Sequence, residues 1–221
     1  MGRTLTSAKD KRNFIYFIVT FLIICFFIFQ GCANSGKPHY DVESYLLNYT
    51  APTFKNEIKL DKTIRISRFT IAAAYNSQNM IFRTNDYNVD FFNYNRWAVN
   101  PADMVADILL CDMQESGLFR AVFSRYAVEE TRFIIQGGIN DFYLRIGDNG
   151  KVAVIAMEIT LKDSQQKEAT KKIVFQKKYS REETLTDQSP RGYCQAMSKA
   201  LKNISQQITT DVYAATKASV N

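Results

Sequence analysis

Apolar residues recur along this chain with two periods, and Gly, Pro, Asn and Asp mark where one gives way to the other. Residues 63–71 (TIRISRFTI) alternate, with Ile64, Ile66, Phe69 and Ile71 apolar and a slip at Ser67-Arg68, which predicts a strand with a bulge. Residues 80–83 (MIFR) and 87–94 (YNVDFFNY) flank an Asn85-Asp86 turn and predict a hairpin. Asn100-Pro101 then opens a helix, with Asn100 as N-cap and Pro101 in the first turn. Met104, Val105, Ile108, Leu109 and Met113 recur at helical spacing, and Gly117 closes the helix. Residues 118–123 (LFRAVF) lead into a short strand.

Period two returns in residues 133–146 (FIIQGGINDFYLRI), a long strand interrupted by Gly137-Gly138. Glycine inside a strand predicts a bulge or a close approach to the backbone. Gly147-Asp148-Asn149-Gly150 is a hairpin turn. The returning strand, 151–162 (KVAVIAMEITLK), is apolar on both sides in its first half and so belongs in the middle of a sheet. After a polar turn at 163–170, residues 171–179 (KKIVFQKKY) predict a third antiparallel strand whose lysines suit an edge. Ser189-Pro190 opens a long helix to about Lys217, striped by Tyr193, Met197, Ala200, Leu201, Ile204, Ile208 and Val212. Upstream, residues 45–49 read as a short strand and 51–62 as a loop. This order predicts a single-domain α/β sandwich, with a mixed, mostly antiparallel sheet of about five to seven strands packed by two main helices.

The N-terminus follows a different rule. Residues 1–13 are polar and basic, residues 14–29 (FIYFIVTFLIICFFIF) are almost wholly apolar, and Gln30-Gly31-Cys32 follows. That is the build of a secretory signal peptide. As a helix the apolar core would be roughly 24 Å long, short of a hydrocarbon layer of about 30 Å. A cysteine after a small residue at the end of such a segment resembles the lipobox of bacterial lipoproteins. There the Cys sulfur receives a diacylglycerol and the preceding peptide is removed. Gly31 and Cys32 match; Phe29, where Leu is usual, and Gln30, where a smaller residue is usual, depart from it. Ala33 follows Cys32, so nothing there resembles the Asp that retains lipoproteins in the inner membrane of enteric bacteria. The resemblance implies a palmitate-type lipid anchor on Cys32 and the outer membrane, with inner-membrane anchoring as the alternative. The division expected is a signal peptide over 1–31, a lipidated tether over 32–43 and a domain over 44–217. An uncleaved N-terminal anchor is the competing reading of 14–29. Gly2 and Thr6 also fit an N-myristoylation pattern, which is hard to reconcile with an exported segment so close behind it.

Charge changes this picture little. The chain carries 28 Lys and Arg against 22 Asp and Glu, a formal +6, and half of that excess lies within residues 1–31. No basic run marks a nucleic-acid arm, so nucleic acid is not expected as a partner. The single histidine, His39, falls in the tether, which argues against His-based catalysis and His-rich metal sites. The acidic pairs Glu129-Glu130 and Glu182-Glu183 sit in polar connections and read as solvated charge. P-loop, G-x-S-x-G and H-E-x-x-H patterns are absent. No catalytic residue, metal or cofactor is therefore expected. Cys25 would leave with the signal, while Cys111 and Cys194 fall on predicted helices and would meet an oxidising compartment. They are candidates for a disulfide; the alternative is two small buried hydrophobes.

The densest pattern is aromatic. Phe82-Arg83, Tyr87, Phe91 to Tyr94 and Arg96-Trp97-Ala98 precede Asn100-Pro101 and its helix, which ends in Ser116-Gly117-Leu118-Phe119-Arg120-Ala121-Val122. Trp97 is the only tryptophan. Two readings stand: an aromatic core under the hairpin, or a contact surface for a partner or lipid made by Trp97, Arg96, Tyr94 and Phe92. This succession resembles the ABC-type transport auxiliary lipoprotein component family. With Tyr45-x-Leu47, Ile64-x-Ile66, the strand around Phe142 and the closing helix, the resemblance covers residues 45–215 or so. The loop at 75–79 and the Gly137-Gly138 pair depart from it. It implies a three-layer α/β sandwich with a mixed sheet. It also implies a non-enzymatic auxiliary lipoprotein of a transporter that moves lipid between two membranes, with a protein carrying the MCE (mammalian-cell-entry) domain, an ABC permease and an ATPase as partners and a homo-oligomeric ring as a natural assembly. The alternative is a structural envelope-assembly or secretion-associated lipoprotein of similar build.

Overall fold

The structure, a computed structural model, describes residues 13–22, 40–55, 57–148 and 150–219. Cys25, Cys32 and His39, with the lipobox-like residues around Cys32, lie outside them. The chain divides into two compact units, Met1–Asp41 and Val42–Asn221. In the first, residues 13–22 form helix α1, with Phe14, Phe17 and Phe21 exposed. No helix among the described residues is long and apolar enough to cross a membrane.

The second unit is organised by one strand. β7 (Phe133–Gly147) pairs along one edge with β8 (Gly150–Asp163), which pairs in turn with β9 (Ile173–Thr184). Along its other edge β7 receives three short parallel strands in succession: β2 (Leu60–Ile66) near Phe133, β3 (Thr70–Ile71) at Gly138 and β4 (Asn79–Arg83) near Leu144. Beyond β2 lies β6 (Phe119–Phe123); beyond β4 lie β5 (Val89–Trp97) and then β1 (Glu43–Tyr45). Among the described residues the mixed sheet therefore has nine strands, not five to seven. The excess is in pieces such as β1 and β3, too short for alternation to register. Five of the eight pairings are parallel, yet the long ladders β7–β8 and β8–β9 are antiparallel.

Local chemistry explains the boundaries. Helix α2 (Pro101–Glu115) begins where the Asn100 side chain accepts the Ala102 N–H, and Gly117, at φ 67°, turns the chain out beyond it. A single helical turn, α3 (Ala169–Lys172), occupies the start of the stretch expected to be the last strand. β9 begins two residues later than expected and runs on to Thr184, opposite Val152. Helix α4 (Pro190–Ala218) is capped by Ser189, whose hydroxyl accepts the Gly192 N–H at 3.2 Å. All seven residues of its expected stripe are buried.

Both long helices cover the same face. Ala153, Ile155, Met157, Ile159 and Leu161 of β8 are buried in one cluster with Met197, Leu201 and Ile208 of α4 and Val105 and Leu109 of α2. Across the helix pair, Ser205 of α4 donates to the Asp112 carboxylate of α2. The implied three-layer sandwich is thus a two-layer one. Among the described residues of this unit, a 3-10 turn (Ala73–Tyr75) covers part of the opposite face, with Tyr75 stacked on Tyr143 at 5.8 Å and Arg83 over the same ring at 4.9 Å.

The glycine pair in β7 is explained by a neighbour. A Cβ on Gly137 would come within 2.5 Å of the Phe69 ring, which is buried. The register shift follows a few residues on, between Ile139 and Asp141. Gly137→Ala is expected to cost about 2 kcal/mol in urea denaturation, because the ring is packed on all sides and a core tolerates one added methyl poorly. A Phe69→Leu change should restore part of the loss; if Gly137→Ala alone is neutral, the close approach is not a constraint.

One ion pair ties the start of β7 to the end of β8. Arg132 donates from Nε and Nη2 to the Asp163 carboxylate at 2.9–3.2 Å, and the Asp163 side chain is 4% exposed. Burial alone would raise the Asp163 carboxyl, but the Arg132 bonds and the Gln165 N–H outweigh it and hold it below the usual range. A carboxyl depressed in the folded state adds stability above its unfolded value, and that stability is lost as the pH falls through the folded value. Arg132→Gln is therefore expected to destabilise the protein by about 2 kcal/mol at neutral pH. Wild type and variant should converge as the pH falls below the usual carboxylate range and through the lowered folded value. Curves that stay parallel throughout that fall would remove the pair as the cause.

Candidate functional site

The aromatic run forms β5 and its approach, and the structure divides it. Trp97 is fully buried. Its ring meets Phe142 of β7 at 5.5 Å and Tyr193 of α4 at 5.4 Å, both edge to face. It cannot present a contact surface, and its expected place in one is corrected: at the C-terminal end of β5 the sheet passes under α4, and the largest ring fills that junction. Phe92 is half-buried, edge to face with Phe82 at 5.2 Å. Tyr94 and Arg96 remain on the surface, Arg96 donating from Nε to the Ser44 hydroxyl at 3.2 Å. The apolar surface of this hairpin extends further towards its tip than expected, through Tyr87 (94% exposed), Val89 and Phe91. Burial of a strand whose outer edge is paired only at residues 95–97 is not visible in its alternation.

The two cysteines of the domain are free thiols. Cys194 is buried and donates to the Leu46 carbonyl at 2.9 Å; Cys111 is exposed on α2. No disulfide joins them. Partial burial, then the charges of Glu115, Asp112 and Asp107, push the Cys111 thiol up, which makes it a weak nucleophile at neutral pH. Beside it Asp112 is buried and accepts from Tyr49 Oη at 2.7 Å as well as from Ser205. Burial and that bond raise the Tyr49 phenol far above its ordinary range. The group locks β1's following loop, α2 and α4 together. No cluster of three His, Cys, Asp or Glu able to hold a metal is found among the described residues.

The cavities of the domain are polar. One of about 690 Å³ runs between β9 and α4, lined by Lys177, Arg181, Gln206, Thr210 and Asp211 among others. There Lys177 and Tyr179 both donate to the Asp211 carboxylate at 2.6 Å. Another, of about 480 Å³, lies at the opposite end of the sheet and is lined by Arg65, Ser67, Arg68, Asp103, Arg125 and Tyr126. Arg125 pairs with Asp103 at 3.1 Å and Asp107 at 3.7 Å. Arg65 reaches the Glu129 carbonyl through Nη2, while its buried Nε has no hydrogen-bond partner. These arginines were visible in the sequence only as polar positions between apolar ones. The parallel β2–β6 pairing, with Arg65 opposite Phe123, is what gathers them.

The comparisons agree with the architecture. The model of a family described as "ABC-type transport auxiliary lipoprotein component" matches residues 45–209. No curated protein matches the sequence. A crystal structure of a Xanthomonas campestris protein superposes with a TM-score of 0.72 at 12% identity, covering 80% of this chain and 98% of that one. A hypothetical protein from Chlamydia trachomatis gives 0.50 at 7% identity, over 71% of this chain and 98% of its own. At such identities the likeness shows the fold alone.

Proposed function

The chain belongs to the ABC-type transport auxiliary lipoprotein component family, and from that premise we propose that it is a non-enzymatic subunit of an MCE/ABC-type intermembrane lipid transport system, held at the periplasmic face of the outer membrane by lipid on Cys32. The family match carries this reading, because it spans nearly all of the compact unit Val42–Asn221. Gly31-Cys32 directly after the apolar segment supports the anchor. The domain acts as a docking module on the MCE-domain protein, alongside the permease and ATPase, and a ring of identical copies is its natural assembly. Within it, the surface part of β5 is the contact: Tyr94 and Arg96, extended by Phe91 and Tyr87. Exposed aromatics and an arginine are the side chains that dominate protein interfaces.

The test is affinity purification of the Cys32-lipidated chain from envelopes in mild detergent. Recovery of an MCE-domain protein with permease and ATPase is the expected result. Recovery of secretion or assembly subunits without any transporter subunit would overturn it in favour of a structural envelope lipoprotein. A double change, Tyr94→Ala with Arg96→Ala, should lower the yield of the MCE protein from a domain that stays folded; an unchanged yield removes β5 from the contact.

A further inference from the structure

We propose that the cavity between the ends of β2 and β6 binds a phosphate group, as a phosphate monoester or diester. The site does not depend on the transport reading. It is built by topology: β2 and β6 run parallel, so residues 65–68 and the loop after Phe123 leave the sheet side by side, next to the first turn of α2.

Charge gives the class of ligand. Three guanidinium groups line the cavity, from Arg65, Arg68 and Arg125, against one carboxylate, Asp103. Asp103 is engaged by Arg125, which also reaches Asp107 outside the cavity. Arg65 and Arg68 are left without a carboxylate among the described residues. Arg65 spends one nitrogen on a neutral carbonyl, that of Glu129. Its Nε is buried and meets no acceptor, an unfavourable state for a charged donor. On the far side Arg65 also borders a cavity that contains Glu130, which places the anion on the Arg68 side. Guanidinium forks match the tetrahedral oxygens of phosphate, and the hydroxyls of Ser67 and Tyr126 stand in the same lining. The volume of about 480 Å³ leaves room for a substituent on the phosphate.

The test uses the full chain in nonionic detergent at constant ionic strength. Two probes are titrated: inorganic phosphate and dihexanoyl phosphatidylglycerol below its micellar concentration, with the arginine Nε–H resonances as readout. Saturable binding is expected with a Kd on the order of 1 mM. Arg68→Gln, at an exposed and unpaired side chain, should weaken it about tenfold without changing the unfolding midpoint. Arg120→Gln, on the exposed face of β6 and paired with Asp61, serves as control and should change nothing. Tighter binding of phosphatidylglycerol would identify a lipid headgroup as the source, and tighter binding of inorganic phosphate a soluble one; either supports the site. No saturation by inorganic phosphate up to about 50 mM and none by the lipid up to its micellar concentration, or equal binding by Arg68→Gln, overturns it.

Discussion

Trp97→Ala is expected to lower stability by about 4 kcal/mol, the cost of emptying a fully buried aromatic site. With a denaturant slope of about 2 kcal/mol/M, the urea midpoint would fall by about 2 M. The size follows from position: the indole closes the junction of β5, β7 and α4 through its two edge-to-face contacts. Trp97→Phe keeps a ring there and removes an N–H that has no hydrogen-bond partner in the protein, so it should cost only about 1 kcal/mol. Loss of partner binding in Trp97→Ala is then a consequence of unfolding and should be absent in Trp97→Phe. If Trp97→Phe folds normally yet fails to bind, the buried assignment of this residue is wrong.

The second large effect concerns Cys32. Cys32→Ser should abolish incorporation of labelled palmitate completely. In the pattern that Gly31-Cys32 resembles, removal of the preceding peptide accompanies lipid attachment, so the variant should also retain residues 1–31 and run at higher mass. It should stay out of the outer-membrane fraction. Two acyl chains, each CH₂ adding about 0.8 kcal/mol, give an anchor that one chain does not. Equal masses and no label in both proteins would mean instead that residues 14–29 persist as an uncleaved anchor.

What could be read from the residues was what is decided locally. The Asn100-Pro101 start of α2, Gly117 after its end, the pairing of Gly147 with Gly150 and the stripe of α4 each depend on neighbours within a few positions, and each stands where expected. The slip at Ser67-Arg68 is the gap between β2 and β3. The parallel pairings of β2, β3 and β4 with β7 join residues far apart, and no local signal announces them. The same distance hid the arginine cavity, whose members come from β2 and from the loop after β6. Trp97 and Tyr94 looked alike because aromatic content says how much surface a strand can bury, not which of its residues does so. Nothing in the spacing of Cys111 and Cys194 could decide between a bond and two thiols.

The dependence of three short strands on one edge of β7 has a consequence for the order in which the protein can assemble. A chain made and delivered from its N-terminus presents β1 to β6 first; of these β1, β5 and β4 can pair with one another and β2 with β6, while β3 has no partner and nothing joins the two groups. The template for the rest comes later, and with it the adjoining meander of β8 and β9, whose contacts are local and quick to form. Until then Ile64, Ile66 and Met80, all destined for the core, sit in strands that lack β7 along one edge. The first half of the protein is thus aggregation-prone for as long as it waits for the second, and anything that slows delivery of residues 133–163 lengthens that exposure.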